Sequence, residues 1–200
     1  MTTRQTGSAL LAALALAAST PARAGHHSWD FTEIFSNADG SVQFIEMFCP
    51  SNGEAGLGPF TIQAGANTFT FVTNLPSSST ANTWVLIATA DFASTPGAPT
   101  PDYVLPDAFF STAGGTLNYA GGADVWNYGA VPTDGVSSLD RSGSTTTNSP
   151  TNFAGESGSI DLNPVVPGLT GTGIALLIGA VLLATSGILR RRSAAATTAT

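Results

Sequence analysis

Between Trp29 and Arg141 the chain alternates short β-branched and aromatic runs with clusters of Gly, Pro, Asn, Asp and Ser. No long helical period interrupts this pattern. Such runs predict strands, and eight or nine short strands at this spacing predict a β-sandwich. The predicted strands are Trp29–Phe35, Ser41–Phe48, Phe60–Gln63, Thr68–Val72, Trp84–Ala90, Asp102–Leu105, Gly115–Ala120, Asp124–Gly129 and Ser137–Arg141.

The stretch after the last predicted strand is polar and poor in core-forming residues. It predicts an irregular cap that runs into a linker. We therefore expect the sandwich to span 25–141 and a polar cap and linker to span 142–168.

Residues 1–24 have the pattern of a secretory signal peptide. Arg4 supplies a positive start, and the apolar run Ala9–Ala18 is too short to span a bilayer core of about 30 Å. Ala22 and Ala24 form the small-x-small motif that a signal peptidase accepts. We expect cleavage after Ala24.

A second apolar segment lies near the other end. Leu169–Leu189 contains 21 residues without a charge, which as a helix is long enough to cross a membrane. Arg190, Arg191 and Arg192 follow at once, and clustered arginines stay on the cytoplasmic side. The sequence predicts a transmembrane helix over 169–189, a short cytoplasmic tail over 190–200, and an exported domain outside the cell.

The end of the chain resembles the C-terminal sorting signals of bacterial surface proteins, of which the PEP type is one. The resemblance covers a short proline-containing motif, the apolar segment and the arginine cluster. The motif here is PVVPG, with Pro164 and Pro167, and it has no glutamate. The resemblance implies either processing by a sorting protease or retention of the helix as a membrane anchor.

The stretch Phe31–Phe48, FTEIFSNADGSVQFIEMF, resembles the opening hairpin of lamin-tail-type domains. Glu33-Ile34 matches the first strand of that pattern, and Phe44–Met47 matches the second. A glycine-rich loop and the runs FTIQ, TFTF and WVLIATA follow in the expected order. The resemblance implies an all-β, immunoglobulin-like sandwich that serves secreted or surface proteins as a binding or structural unit. It brings no catalytic residues.

Charge narrows the function classes. The chain has 13 acidic and 6 basic residues. All 13 acidic residues lie between Gly25 and Gly168, whereas Arg141 is the only lysine or arginine in that stretch. Such a surface repels phosphate, so we expect no nucleic-acid binding. There is no G-x-S-x-G elbow, Walker loop or H-E-x-x-H motif, so we expect no enzyme. An extracellular hydrolase using a carboxylate pair stays a third alternative.

Gly25, His26 and His27 would begin the mature chain if cleavage follows Ala24. A free amine, two backbone amides and an imidazole at the third position make a square-planar set that suits copper or nickel. The alternative is a frayed terminus in which neither histidine has a role.

Alternation along the first hairpin places two glutamates on the apolar side of their strands. Glu33 lies an even number of positions from Trp29, Phe31 and Phe35, and Glu46 lies an even number of positions from Phe44 and Phe48. Residues at such spacings lie on the same side of a strand. We therefore expect both carboxylates to be half-buried on one core-facing side.

The turn decides how the two glutamates meet. A two-residue turn at Asp39-Gly40 puts Glu33 directly opposite Glu46, whereas a four-residue turn makes them diagonal neighbours. Like charges so close must be neutralised by a bound calcium, by a raised pKa on one of them, or by N–H donors from a crossing loop. Glu33, Glu46 and Asp39 are the candidate calcium ligands.

These observations predict a membrane-anchored or sorted bacterial surface protein. Its acidic sandwich would serve binding, adhesion or envelope structure, with an unknown protein or polysaccharide as partner. A metal-dependent binding domain, with calcium or N-terminal copper, is the alternative. Cys49 is the only cysteine, so it predicts a buried thiol or an intermolecular disulfide.

Overall fold

The computed structural model describes residues 25–163. Within that range the chain forms ten strands and one helical turn. They are β1 Asp30–Ser36, β2 Gln43–Cys49, β3 Thr61–Ala64, β4 Asn67–Thr70, β5 Thr83–Thr89, α1 Ala90–Ala93, β6 Tyr103–Leu105, β7 Gly115–Tyr119, β8 Asp124–Tyr128, β9 Ser137–Asp140 and β10 Thr145–Thr147.

The strands form two sheets, which confirms the predicted all-β class. The larger sheet has the order β10-β9-β1-β2-β5-β6, and the smaller has the order β4-β3-β7-β8. Neighbouring strands are antiparallel except for β5 and β6, which run parallel. All nine predicted strands are present to within two residues at each end, because their apolar runs supply an inward face.

The main core joins inward-facing residues of the two sheets. Ile45 and Ile87 from the larger sheet share it with Ile62, Leu117 and Tyr119 from the smaller, all at 0% exposure. This is the period-2 pattern of a sheet that packs one face against a partner sheet.

The larger sheet also buries its outer face. Phe35, Phe44 and Leu86 point away from the smaller sheet and form a second apolar cluster. Phe92 of α1 and Ile160 of the chain's later part cover this cluster. Both faces of the central strands β2 and β5 are therefore largely covered, which explains why these two strands are apolar almost throughout.

A β-bulge in β1 corrects one prediction. The pairing shifts between Phe31, which faces Met47, and Glu33, which faces Glu46. The extra residue, Thr32, reverses the side of every residue beyond it. Trp29 and Phe31 therefore belong to the core between the sheets, whereas Glu33 and Phe35 lie on the outer face.

The segment predicted as a cap and linker is part of the fold as far as it is described. Residues 145–147 add the edge strand β10, and residues 148–160, which we call the strap, cross the outer face of the larger sheet. The prediction that the sandwich ends at Arg141 is wrong. The apolar outer face of the larger sheet needs a cover, and the segment 142–162 supplies it, although the polar composition of that segment gave no sign of this role. The compact unit extends to Leu162.

Several predictions lie outside the described residues. They are the signal peptide with Ala22 and Ala24, the motif with Pro164 and Pro167, the apolar segment 169–189, and Arg190, Arg191 and Arg192 with the tail. Among residues 25–163 we find no helix with the length and apolarity to cross a membrane.

Candidate functional site

Glu33 and Glu46 are direct partners across β1 and β2. The connecting loop has four residues, 38–41, since Asn37 N donates to Val42 O at 3.0 Å. The predicted two-residue turn is therefore wrong, but the four-residue loop has the same centre, so Glu33 still lies directly opposite Glu46 and the diagonal alternative is wrong as well. Both glutamates are buried, at 5% and 4% exposure, under the strap rather than between the sheets.

Hydrogen bonds from the strap satisfy both carboxylates. Glu33 accepts from Ser149, with the backbone N at 2.9 Å from Oε1 and the hydroxyl at 2.9 Å from Oε2. Glu46 accepts from the Thr151 backbone N at 2.8 Å and from the Thr32 hydroxyl at 2.7 Å. Donors from a crossing loop, one of the three predicted ways to neutralise the pair, are therefore present.

A third carboxylate continues the row. Asp102 Oδ2 accepts from the backbone N of Phe153 at 2.9 Å and from that of Leu86, in β5, at 2.8 Å. Residues 149, 151 and 153 thus each place a backbone N–H on a different carboxylate. Residues two apart in an extended chain direct their N–H groups to the same side, so one edge of the strap is held throughout.

Burial changes the acidity of this row. It raises the pKa of Glu46 to about 7, with the nearby Glu33 charge acting in the same direction, while the hydrogen bonds from Thr32 and Thr151 oppose it. Burial also raises the pKa of Asp102, against hydrogen bonds from Leu86 and Phe153. Two of the three expected ways to neutralise the pair therefore occur together: a raised pKa on Glu46 and hydrogen-bond donors from the crossing loop.

The single arginine of the domain is engaged elsewhere. Arg141 makes a two-pronged ion pair with Asp124, with N–O distances of 2.7 and 3.0 Å, and its guanidinium lies over the Trp126 ring. Asp124 Oδ2 also accepts from the backbone N of Phe31 at 2.8 Å, so this ion pair braces the bulge. It does not neutralise the glutamate pair.

Asp39 is separated from the glutamate pair. It lies in the exposed loop 38–41, where its carboxylate accepts from Ser41 N at 3.0 Å and that bond lowers its pKa. Three cross-strand residue pairs of β1 and β2 lie between the loop and the pair formed by Glu33 and Glu46. Among residues 25–163 no group of three or more His, Cys, Asp or Glu side chains is placed to hold a metal. Calcium binding stays a prediction, and Asp39 does not join the predicted set.

The histidine segment packs against the loop around Glu54. Gly25 N donates to Gly53 O at 2.6 Å, and the indole N of Trp29 donates to Glu54 O at 2.8 Å. The His26 ring stacks on Phe60 and neighbours His27, and desolvation and the His27 charge lower its pKa. These residues line a cleft of about 520 Å³ with Gly58 and Pro59. The segment is docked rather than frayed, and copper binding stays a prediction.

A second cleft, of about 570 Å³, was not predicted from the sequence. It lies where the loop 38–41, the β3–β4 turn and the connection 108–116 meet, and its volume is typical of ligand pockets. Buried Gln43 joins these loops: its side chain accepts from Phe109 N at 2.7 Å and donates to Phe110 O at 3.0 Å. A buried glutamine inside an apolar strand was the available signal, since such a group needs partners.

Two more contacts hold the loops of this cleft. Asn67 donates to Phe109 O at 2.7 Å, and Ala108 N donates to Gly40 O at 2.9 Å. Gly40 has a φ of 77°, and a Cβ there would lie 2.8 Å from the Ala108 Cα. Gly40 is therefore required by its backbone conformation and by this close approach.

Cys49 is a buried free cysteine, which is one of the two predictions made for it.

Comparison with known proteins adds no relative: no family model, no curated protein and no solved structure matches the chain. The fold and site define an all-β, two-sheet domain with a strapped outer face. The likeness to lamin-tail domains stays a prediction.

Proposed function

We propose that this chain is an exported bacterial surface protein, anchored or sorted by its C-terminal segment. It displays an acidic, immunoglobulin-like sandwich of lamin-tail type for binding, adhesion or envelope structure. The observation that carries the proposal is a packed two-sheet domain that lies, in the sequence, between the two predicted export segments. Backbone hydrogen bonds include Gly25 in this domain, whose N donates to Gly53 O at 2.6 Å, and Leu162, whose N donates to Gly135 O at 3.0 Å.

The cleft bounded by loop 38–41 supports a binding role. Binding residues commonly lie on loops that a rigid scaffold holds at one end of a sandwich. Here Gln43 fixes the loops by a buried hydrogen bond and Asn67 by a partly buried one, so the cleft is formed before a ligand arrives. Preorganisation of this kind lowers the entropic cost of binding.

Fractionation of bacteria that express the full chain tests the location. We expect a mature protein that starts at Gly25, and a domain that added protease removes once any outer membrane is permeabilised. A chain that ends before Leu169 would show processing by a sorting protease, and an intact C-terminus would show retention as an anchor. An Ala24→Asp variant should stay unprocessed. A domain found in the cytoplasm with residues 1–24 attached would overturn the proposal.

Retention of the purified protein on envelope fragments of the producing organism tests the binding role. Thr112 lines the cleft, and a Thr112→Arg substitution should fill it and reduce retention at least about tenfold, or about 1.4 kcal/mol. Thr73→Arg adds the same charge at an exposed site outside the cleft-lining set and is the control. Equal retention of both variants and the unmodified protein would exclude the cleft as the contact site.

A further inference from the structure

The strap fastens the part of the domain that leads to the predicted anchor. Its backbone N–H groups at Ser149, Thr151 and Phe153 are held by Glu33, Glu46 and Asp102 in turn. These carboxylates belong to β1, to β2 and to the residue that precedes β6. The strap therefore crosses the sheet and is held at these three points by carboxylates.

The middle contact can exist in two protonation states. The Thr32 hydroxyl lies 2.7 Å from Glu46 Oε1 and 3.2 Å from the Glu46 backbone O. With Glu46 ionised, Thr32 donates to Oε1. With Glu46 protonated on Oε1, that O–H donates to Thr32, whose own hydrogen turns to the backbone O. Thr151 N donates to Oε2 in both states.

The charges around this contact favour the protonated state. Glu33 faces Glu46 from β1, and Leu86, the β5 partner of Glu46, carries no charge. On the strap side, Asp102 and Glu156 are the next carboxylates. Asp140 of β9 is paired with Glu33, but its side chain accepts from Ser142 and Ser144 in the following turn. Every charge in this set is negative.

We propose that the strap is a pH-sensitive fastening, tight while Glu46 holds a proton and loosened when Glu46 loses that proton opposite the Glu33 carboxylate. On deprotonation the proton passes to water and a second negative charge appears opposite the first, under a cover that excludes solvent. The cheapest relief is for the strap to lift and admit water, because the sheet beneath is fixed on both sides by neighbouring strands.

Hydrogen exchange of the purified full-length chain, read by mass spectrometry, tests the fastening. After correction for intrinsic exchange rates, strap peptides should exchange about thirtyfold faster at pH 8 than at pH 5.5, since the pKa of Glu46 is about 7 when it is covered and near 4.5 when it is open. Peptides from β5 should show no such change. The Glu46→Gln variant should keep the strap protected at both pH values.

Glu54→Gln is the matched control, because it removes a glutamate from a loop away from the strap and should leave the pH dependence intact. Glu33→Gln removes the charge opposite Glu46 and should reduce the pH dependence without abolishing it, because burial is the larger cause of the raised pKa of Glu46. It gives a second reading of the pair if Glu46→Gln fails to fold. Equal corrected exchange at the two pH values in the unmodified chain would overturn the proposal. So would a pH dependence that Glu46→Gln leaves undiminished, or that Glu33→Gln does not reduce. Neither result depends on where the protein is located in the cell.

Discussion

At the residue scale, Glu46 couples the stability of the domain to pH. Its pKa of about 7 in the folded chain lies above its ordinary value of 4.5, so the folded state binds more protons between those values. Stability from this group is therefore fully present below pH 4.5 and is lost as pH rises to 7. Asp102 and Asp30 act in the same direction, because burial raises the pKa of each.

We expect the free energy of unfolding to fall by about 3 kcal/mol between pH 4.5 and 7.5 on account of Glu46. Glu46→Gln should flatten this dependence and make the domain more stable than the unmodified protein at pH 7.5. Urea unfolding at several pH values measures both effects. The pKa values of Asp39, Asp134 and Asp140 are lowered by hydrogen bonds, so their contributions vanish only on acidification below this window.

A double-mutant cycle separates a shared site from two independent ones. If the carboxylates interact, Glu33→Gln and Glu46→Gln together should differ from the sum of the single effects by at least about 0.5 kcal/mol. Simple additivity, with each substitution destabilising the domain, would mean that each glutamate only pins its own part of the strap.

The pair itself could be predicted from sequence, and its surroundings could not. The centre of the turn sets which residues face each other, so a loop centred between Asp39 and Gly40 places Glu33 opposite Glu46 whether it has two residues or four. The donors come from Ser149 and Thr151, more than 100 positions along the chain. No local pattern carries information about a contact at that separation.

At the element scale, the bulge at Thr32 decides which face each residue of β1 occupies. Alternation alone put Phe31 and Glu33 on one side, because period 2 assumes an unbroken ladder. The bulge lets β1 serve the inner core before residue 32 and the outer face after it. What holds the bulge is remote: Asp124 of β8 accepts the Phe31 N–H, and Arg141 N donates to Thr32 O.

We expect Asp124→Ala to destabilise the domain by about 2 to 3 kcal/mol, because it leaves the buried Phe31 N–H without an acceptor. Arg141→Ala should cost less, since the guanidinium side chain is 40% exposed and water can replace part of its contact with Asp124. Urea unfolding of both variants at pH 6 measures the difference. If Arg141→Ala proves the more harmful, the bulge is held by the arginine rather than by the carboxylate.

At the scale of the whole molecule, the apolar outer face of the larger sheet explains why the strap packs against the domain. Two sheets could close a core alone, and the sequence pattern was sufficient to predict that much. The larger sheet, however, carries apolar residues on both faces, and its outer face needs a cover. The strap supplies it with few apolar side chains, because Asn148 and the carboxylate row hold its backbone. Asn148 donates to Val136 O and Ile160 O and accepts from Ile160 N.

Ile160 distinguishes a strap from a linker. It is fully buried against the cluster that contains Phe35 and Phe44, 19 residues after the predicted end of the sandwich at Arg141. We therefore expect Ile160→Ala to lower the free energy of unfolding by about 2 to 4 kcal/mol, the usual result of emptying a core position. Val104→Ala is the control: that side chain is 66% exposed, and its loss should change stability by about 0.5 kcal/mol or less. If Ile160→Ala leaves the free energy of unfolding unchanged, the segment is a linker, as its composition predicted. A cost near that of a core substitution would make residues 148–160 as much a part of the domain as its strands.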